Sequence, residues 1–284
     1  MEGLAYVDGT VVDLATARVP LLDRGYLLGD GLFETLRTAH GGIWRRDDHR
    51  RRVERGLHMV GLEPSLLSMF DDAVDALVDA GMPAFGDSLY LRVNITTGLL
   101  EDLTGDGAGA AVTGIVKPFK PYPMRHYSHG VQVIESRFHR DPASPLRGVK
   151  TLSFLPYIAA RREALAQAAH DAVLTDGAGN VVEATTSNVF AFADGVVYAP
   201  GMEQGAVDGV TRKVVLELVQ DAGLDVAHDL PVATMAAADE AWLTNTTGGI
   251  VPITRFGEAP VGDGRKGDLA SRLGHAYEDM LRGR

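Results

Sequence analysis

The sequence contains no cysteine and no long apolar run. The absence of cysteine excludes disulfide bonds, thiolate metal ligands, iron–sulfur clusters and a cysteine nucleophile. A helix that crosses a bilayer needs roughly 20 consecutive apolar residues, and no uninterrupted run approaches that length, so we expect no membrane partner. The N-terminus, MEGLAYVDGTVVD, lacks the basic and apolar regions of a signal peptide, and we therefore expect a cytoplasmic protein.

Positive charge is also scarce. The chain carries 27 Lys and Arg against 38 Asp and Glu, a formal net charge of −11. A protein that follows the phosphates of a nucleic acid is usually basic, so no nucleic-acid partner is expected, although a local basic patch can still hold one small anion. Apolar residues make up 45% and charged residues 23% of the 284 residues. This composition supports a buried core, and the length is typical of about two domains.

A proline-rich stretch divides the sequence. Residues 117–123 read KPFKPYP, and three prolines in seven residues cannot continue a helix or a central strand. We predict a small N-terminal α/β domain over residues 1–117, a linker over 118–124 and a larger C-terminal domain over 125–284. Helices and strands are mixed without strict βαβ alternation, which favours an α+β fold over a doubly wound sheet.

Apolar spacing and turn residues predict the secondary structure. Asp8-Gly9 predicts a hairpin, and helices are expected from about Asp48 and from about Ser65, the second ending at Gly81. Further along the chain we predict one continuous strand over 181–192, paired with 171–175. The other predicted segments are strands at 31–38, 88–96, 110–117, 130–138, 241–244 and 250–254, and helices at 156–169, at 209–222 and from about 267.

Lys150 stands in an apolar context, RGVKTLS, between a predicted strand and a predicted helix. A lysine becomes a nucleophile toward carbonyl groups when desolvation or a neighbouring cation disfavours its charged form. By itself this pattern says little, because an isolated lysine is far more often a solvated surface residue.

Glu183 lies in the stretch NVVEATTSNVF, where a carboxylate interrupts a β-branched strand just before a run of small polar residues. On spacing alone, the ordinary interpretation is an edge strand with a solvated glutamate. The alternative is a buried carboxylate that pairs with a ligand cation such as a pyridinium nitrogen, because an unpaired buried carboxylate costs several kcal/mol.

Two segments are suited to bind phosphate. Gly209-Val210-Thr211-Arg212 begins a predicted helix, where free backbone N–H groups and the helix dipole favour an anion. The stretch TNTTGG at 244–249 offers hydroxyl groups and glycines after a strand. Arg52, in a basic run, could add a guanidinium. Each segment alone also fits an ordinary helix start, a polar turn or a solvated helix face.

Taken in order, these pieces resemble one family. The sequence DRGYLLGDGLFE at 23–34 is followed by His49-x-x-Arg52, Lys150, Glu183-x-x-x-x-Asn188-x-Phe190, Gly209-Val210-Thr211-Arg212 and Thr246-Thr247. This order is similar to that of the fold-type-IV pyridoxal-phosphate enzymes, a group that contains D-amino-acid aminotransferase, branched-chain aminotransferase and aminodeoxychorismate lyase. The resemblance covers nearly the whole chain. It implies a two-domain α+β fold with pyridoxal 5'-phosphate between the domains.

The resemblance implies a role for each matching residue. Lys150 matches the lysine that binds the cofactor covalently and then moves the proton between the substrate carbon and the cofactor. Glu183 matches the acid that keeps the pyridine nitrogen protonated, which makes the ring an electron sink. The other matches to the cofactor site are Arg52, Val210, Thr211 and Thr246 around the phosphate, and Asn188 near the cofactor. No metal site is implied.

The substrate site departs from the family pattern. The positions that align with the tyrosine often found at the cofactor's ring hydroxyl carry Leu28, Phe33 or Leu155, and Tyr157 lies two residues beyond the last of these. D-amino-acid enzymes bind the substrate carboxylate with an Arg-Gly pair, where this chain has Thr97-Gly98. The remaining candidates for substrate contacts are Phe33, Tyr90, Arg92 and Arg24, and the backbone amides of Thr247 and Gly248.

The subfamily signals conflict, so the substrate stays open at this stage. Tyr90-Leu91-Arg92 matches a Tyr-x-Arg of branched-chain enzymes, whereas residues 23–34 look more like the D-amino-acid and lyase side. The resemblance implies transamination between an amino acid and a 2-oxo acid, and we favour D-amino-acid or non-standard specificity with primary amines as further donors. The alternatives are a branched-chain L-amino-acid aminotransferase, an aminodeoxychorismate lyase and a non-catalytic protein that keeps the cofactor. A homodimer is also implied, because loops of one subunit border the other subunit's cofactor site in this family.

Overall fold

The computed structural model describes residues 2–101 and 109–283 and divides near Lys120. The N-terminal unit comprises Met1–Lys120 together with Val149–Phe154, and the C-terminal unit comprises Pro121–Gly148 and Leu155–Arg284. The predicted domain ranges differ from this division at residues 149–154, because that segment pairs with a strand of the N-terminal unit. Each unit contains both helices and strands, which confirms the predicted α+β class.

One antiparallel sheet and two long helices build the N-terminal unit. Its strands are β1 (Leu4–Val7), β2 (Thr10–Asp13), β3 (Gly31–Ala39), β4 (Gly42–Ile43), β5 (Leu89–Thr96) and β6 (Ala111–Pro118). Its helices are α1 (Arg24–Leu28), α2 (Arg46–Met59) and α3 (Leu66–Phe85). The strand order is β2-β1-β6-β5-β3-β4, and the hairpin predicted at Asp8-Gly9 is confirmed as β1 and β2.

Helix α3 continues beyond its predicted end at Gly81. A Cβ on this glycine would lie only 2.8 Å from Val116 Cγ2 and 3.0 Å from Leu89 Cδ1, so Gly81 is the point where α3 packs closely against β5 and β6. The helix ends instead at Gly86, whose φ of +80° suits glycine and whose N–H donates to Met82 O. The buried face of α3 includes Leu66, Phe70, Ala73, Val74 and Leu77.

A larger mixed sheet forms the centre of the C-terminal unit. Its strands are β7 (Val131–His139), β8 (Asp171–Thr175), β9 (Asn180–Ala184), β10 (Asn188–Ala193), β11 (Val196–Tyr198), β12 (Asp225–Ala227), β13 (Leu230–Pro231), β14 (Glu240–Asn245), β15 (Gly249–Phe256) and β16 (Ala259–Pro260). Its helices are α4 (Met124–Ser128), α5 (Leu155–Ala166), α6 (Val210–Asp221), α7 (Val232–Ala236) and α8 (Asp268–Leu281). The strand order is β12-β11-β10-β14-β15-β7-β8-β9-β13, and β16 pairs with β15. Within residues 2–101 and 109–283, no helix has both the length and the apolar character that crossing a bilayer requires.

The predicted continuous strand over 181–192 is wrong, because the chain turns between β9 and β10. At this turn Ala184 N–H donates to Ser187 O at 2.8 Å. The N–H and the hydroxyl of Thr185 both donate to the buried Asp171 carboxylate, and this side-chain acceptor competes with strand pairing. Because of this turn, Asn188 at the start of β10 pairs with Thr244 of β14, whereas β9 pairs with β8 and β13.

Candidate active site

Lys150 lies in the short segment of the N-terminal unit that pairs with β3. Phe33 N–H donates to Lys150 O at 3.1 Å, and Leu152 N–H donates to Gly31 O at 2.9 Å, which fixes the backbone at the lysine. Lys150 Nζ lies 4.2 Å from the centroid of the Phe33 ring, a distance at which the ring attracts an ammonium group. Lys150 is therefore a partly buried and restrained side chain rather than a solvated one.

Arg92 packs on the same Phe33 ring. Its Cζ lies 3.8 Å from the ring centroid, and its Nε donates to Asn94 Oδ1 at 3.0 Å. Burial lowers the pKa of Arg92, and no carboxylate among the described residues lies within ion-pair distance of its guanidinium. Tyr90 shares the sheet face of Arg92, because alternate residues of a strand point to the same side. The N-terminal unit thus brings Lys150, Phe33 and Arg92 together.

Arg24, the second arginine considered for the substrate, is bound to an acid of its own unit. Its Nε donates to Asp30 Oδ2 at 2.8 Å and to Thr97 Oγ1 at 3.0 Å, and Thr97 Oγ1 donates to Asp30 Oδ2 at 2.7 Å. Thr97, which stands where D-amino-acid enzymes have their Arg-Gly pair, therefore helps to hold Arg24. Because Asp30 already pairs with its charge, Arg24 is less available to a substrate carboxylate than Arg92.

Arg52 is held by a buried acid, Glu34, to which the sequence motifs assign no role. Arg52 Nη2 donates to Glu34 Oε1, and Arg52 Nε donates to Glu34 Oε2 at 3.3 Å. His49 Nδ1 also bonds to Glu34 Oε1. The exposed fraction is 1% for Glu34, 1% for His49 and 9% for Arg52. These three residues form what we call the Glu34 network.

The Glu34 network keeps its carboxylate ionised. Burial alone would raise the pKa of Glu34, but the charge of Arg52 and the hydrogen bonds from His49 and Arg52 outweigh it and bring the pKa to about 2. Burial lowers the pKa of His49. A signal for this network exists in the sequence, since Glu34 interrupts the apolar run GLF of β3 and His49 precedes Arg52 by one helical turn. We conclude that Glu34 and His49 position Arg52.

Glu183, in the C-terminal unit, is a buried carboxylate and not a solvated edge residue, with an exposed fraction of 3%. Tyr157 Oη donates to its Oε1 at 2.6 Å, and Val207 N–H donates to its Oε2 at 2.9 Å. Arg140 Nε lies 3.4 Å from Oε1. Burial and the charge of Glu183 raise the pKa of Tyr157, so the tyrosine stays a hydrogen-bond donor. Arg140 and Val207 carried no signal in the sequence motifs, because folding alone brings them to Glu183.

Asn188 acts on Glu183 through Val207. Its Nδ2 donates to Val207 O at 2.8 Å, while the N–H of the same residue binds Glu183. Its Oδ1 lies 1.9 Å from where a Cβ on Gly209 would be, so only glycine fits there. Asn188 therefore fixes the loop that leads from Val207 into α6.

The start of α6 and the end of β14 meet at Asn188. Gly209 is the N-cap of α6 and has no side chain that could cap the helix. Val210 and Thr211 follow in the first turn, where backbone N–H groups lack helical acceptors, and each is 4% exposed. Asn188 pairs with Thr244 across the sheet, and Thr244 Oγ1 is buried without a partner among the described residues. Thr246 follows two residues on. This donor set suits an anion such as a phosphate group.

The turn between β14 and β15 is closed by its own asparagine. Asn245 Oδ1 accepts hydrogen bonds from Thr247 N–H at 3.0 Å, from Thr247 Oγ1 at 3.0 Å and from Gly248 N–H at 2.6 Å. The two backbone amides considered for a substrate carboxylate are thus already bonded to a side chain.

Comparison with known proteins identifies the family of this chain. The family model for "Amino-transferase class IV" matches residues 31–256. D-alanine aminotransferase of Bacillus licheniformis is 27% identical over 277 residues, covering 96% of this chain and 95% of that protein. Aminodeoxychorismate lyase of Bacillus subtilis is 27% identical over 283 residues, covering 98% and 95%. The crystal structure of a T.th. branched-chain amino acid aminotransferase with pyridoxamine 5'-phosphate has the same fold, with a TM-score of 0.87, 24% identity, and coverage of 100% and 95%. Because the family model spans most of the chain, this protein belongs to the class IV aminotransferases and is a pyridoxal 5'-phosphate-dependent transaminase.

Proposed function

We propose that this transaminase takes its amino group from D-amino acids or other non-standard donors, primary amines included, and passes it to a 2-oxo acid. The arrangement around Lys150 supports this substrate class. Of the groups considered for a substrate carboxylate, Arg24 is bound to Asp30 and the turn amides are bound to Asn245, which leaves Arg92 beside the lysine. An amino donor without a carboxylate therefore loses only the contact with the Arg92 guanidinium and can still make the other contacts in the site.

The residues present fit the cofactor. Pyridoxal 5'-phosphate, when bound, supplies a ring that accepts electrons from the substrate's reacting carbon. Lys150 would attach it, Glu183 would pair with its ring nitrogen, and its phosphate would be held by Arg52, Val210, Thr211 and Thr246. Thr244 Oγ1, which is buried and has no hydrogen-bond partner in the described part of the chain, and the start of α6, which has no side-chain cap, are consistent with an anion there. The phosphate would thus complete hydrogen bonding that the chain leaves open.

Glu183 supplies a fixed negative charge in this proposal. Tyr157 and Val207 each donate to one of its oxygens, and Arg140 stands near the first, so the ionised carboxylate is satisfied in one orientation. A carboxylate oriented in this way can hold a proton on a ring nitrogen without turning toward water. Asn188 contributes by fixing Val207 rather than by direct contact.

Lys150 moves the proton in this proposal. Its Nζ would take a proton from the substrate's reacting carbon and return one at the other end of the half-reaction. The Phe33 ring restrains Nζ, and Arg92 on the same ring would hold a substrate carboxylate close to the lysine. Tyr90, on the same sheet face as Arg92, would contact the substrate as well.

A single-turnover experiment tests the substrate class. The holoenzyme is mixed with one donor at a time, as D- and L-enantiomers of the same amino acids and as primary amines of matched size, and conversion of the cofactor to its amine form is followed by absorbance. No 2-oxo acid is needed. We expect conversion by D-amino acids and by amines. Conversion by L-branched-chain amino acids alone would contradict the proposal.

A branched-chain L-amino-acid aminotransferase is the second candidate. One observation favours it, because Tyr90 and Arg92, which match the Tyr-x-Arg of branched-chain enzymes, lie on one sheet face and Arg92 lies on the ring beside Lys150. The same experiment separates the two candidates, since L-leucine and L-valine would then react fastest.

We also propose a homodimer, and an exposed apolar surface of the N-terminal unit supports it. Backbone hydrogen bonds from Arg24 N–H to Gly98 O and from Leu100 N–H to Leu22 O, both 2.8 Å, join the two segments that form it. The exposed apolar residues are Val19, Leu21, Leu22, Tyr26, Leu27, Leu28 and Leu99, each between 39% and 72% accessible. A monomer rarely leaves such a surface in water.

Sedimentation velocity run beside the activity assay tests the dimer. Leu21→Asp combined with Leu28→Asp places charges on the apolar surface and should yield inactive monomers. Leu165→Asp is the control, because Leu165 is 61% exposed on α5 and outside this surface. An active wild-type monomer at assay concentration would refute the dimer.

A further inference from the structure

The turn after β14 carries an acceptor where a substrate carboxylate would need donors. Asn245 Oδ1 receives Thr247 N–H, Thr247 Oγ1–H and Gly248 N–H at 3.0, 3.0 and 2.6 Å. Each backbone amide has one hydrogen, and both hydrogens are directed at this single oxygen. The orientation of the asparagine amide follows, since two backbone donors require an acceptor there.

The other end of Asn245 is held equally firmly. Its Nδ2 donates to Ser187 Oγ at 2.8 Å and to Tyr122 Oη at 3.3 Å. The Tyr122 ring also covers the turn, because a Cβ on Gly248 would lie 2.9 Å from Tyr122 Cε2. Tyr127 Oη donates to Gly248 O at 3.0 Å. The asparagine is therefore anchored on both sides.

We infer that Asn245 is a specificity-determining residue that weakens recognition of the substrate carboxylate. Its oxygen occupies the amides that a carboxylate would otherwise accept from, so a carboxylate must displace a side chain that three donors and two further partners hold. A donor lacking a carboxylate meets no such competition at this turn. The inference deepens the proposed function and rests on it only for naming the ligand as a substrate carboxylate.

Ligand binding to the holoenzyme tests this inference without turnover. Isothermal titration calorimetry compares two unreactive probes of the same shape, 4-methylpentanoate and its neutral amide. In Asn245→Ala, freed amides should bind the acid about tenfold or more tightly, as expected for hydrogen bonds to a charged acceptor, and leave the neutral amide within about twofold. In Asn245→Asp, the acceptor stays and gains a negative charge, so the acid should bind about tenfold more weakly.

Asp176→Ala is the matched control, because Asp176 closes another turn of the same unit by accepting Ala178 N–H and Asn180 N–H, both at 2.8 Å. It should lower thermal stability as Asn245→Ala does and leave both probes unchanged. Acid affinity that is unaltered in Asn245→Ala, or that changes in parallel with the neutral amide, would overturn the inference. If Asn245→Ala does not fold, Asn245→Asp decides alone, and equal effects on both probes would refute it. Failure of the proposed function would show instead in the single-turnover experiment, as cofactor conversion by L-branched-chain amino acids alone.

Discussion

Removing the charge of Glu34 should destabilise the N-terminal unit strongly at neutral pH. Glu34→Gln keeps the size of the side chain but removes the negative charge that pairs with the buried Arg52, since Arg52 bonds to both carboxylate oxygens. His49 is as buried as Glu34 and offers no replacement charge, because burial lowers its pKa. Removing one partner of a buried ion pair costs about 3–5 kcal/mol. We expect a loss of this size in the free energy of unfolding.

The pH dependence gives a second measure of the same interaction. The pKa of Glu34 is about 2 in the folded protein, against an ordinary value of 4.5. Because the folded pKa is depressed, the ionised carboxylate stabilises the protein fully above pH 4.5, and this stability is lost as the pH falls toward about 2. The difference between these two pKa values corresponds to about 3 kcal/mol of folding stability, at about 1.4 kcal/mol per pKa unit. The difference between wild type and Glu34→Gln should therefore shrink to about half near pH 3.

Urea unfolding from pH 7 down to pH 3 measures both effects. The two tryptophans lie in different units, so a Trp242→Phe background restricts the fluorescence signal to Trp44 in the N-terminal unit. Asp75→Asn is the control, since it breaks an exposed ion pair with Arg46, which should cost below about 1 kcal/mol. A Glu34→Gln loss no larger than that of the control, or one that does not shrink as the pH falls, would refute the buried charge pair.

Further predictions concern catalysis. Lys150→Ala should abolish covalent attachment of the cofactor and transamination, and borohydride reduction of the wild type should mark the peptide with Lys150; a mark on another lysine would refute the assignment. Glu183→Gln should lower the rate of the deprotonation step by roughly two decades if the effect is about 3 kcal/mol, and wild-type turnover would contradict it. Tyr157→Phe, which removes one donor to Glu183, should lower the single-turnover rate by about tenfold while cofactor affinity changes less. Arg92→Ala should raise KM for amino acids far more than for primary amines, whereas Arg24→Ala should affect both alike; the opposite result would exchange their roles.

Local patterns predicted most of the fold. The apolar spacing of α3 and the Asp8-Gly9 turn depend on neighbours in sequence, and both appear in the structure. Gly81 misled the prediction, because a glycine that ends a helix and one that admits a neighbouring strand look alike in sequence. The break at Thr185 was also missed, since its cause is the Asp171 carboxylate on another strand.

The candidate site was predictable only where a motif names the residue. Lys150 and Glu183 followed from ordered motifs, and burial of Glu183 separates it from a solvated strand residue. Its ion-pair partner Arg140 and its backbone donor Val207 stand 43 residues before and 24 residues after it, outside any local pattern. The role of Asn245 could not be predicted for a different reason. The sequence around it suggested free backbone amides at Thr247 and Gly248, and only the orientation of the Asn245 side chain shows that they are already hydrogen-bonded.

Because Val149–Phe154 pairs with β3, a single cut in the chain cannot separate the two units. The chain leaves the N-terminal unit at Lys120 and returns for six residues before leaving again at Phe154. A gene fragment that stops at Lys120 would encode β3 with Phe33 N–H and Gly31 O deprived of the partners that Lys150 and Leu152 provide. The two units therefore cannot be exchanged as simple modules. A chimera with a relative must take the 149–154 segment from the same parent as the N-terminal unit. A circular permutation opened inside that segment would separate Lys150 from part of the backbone pairing with β3.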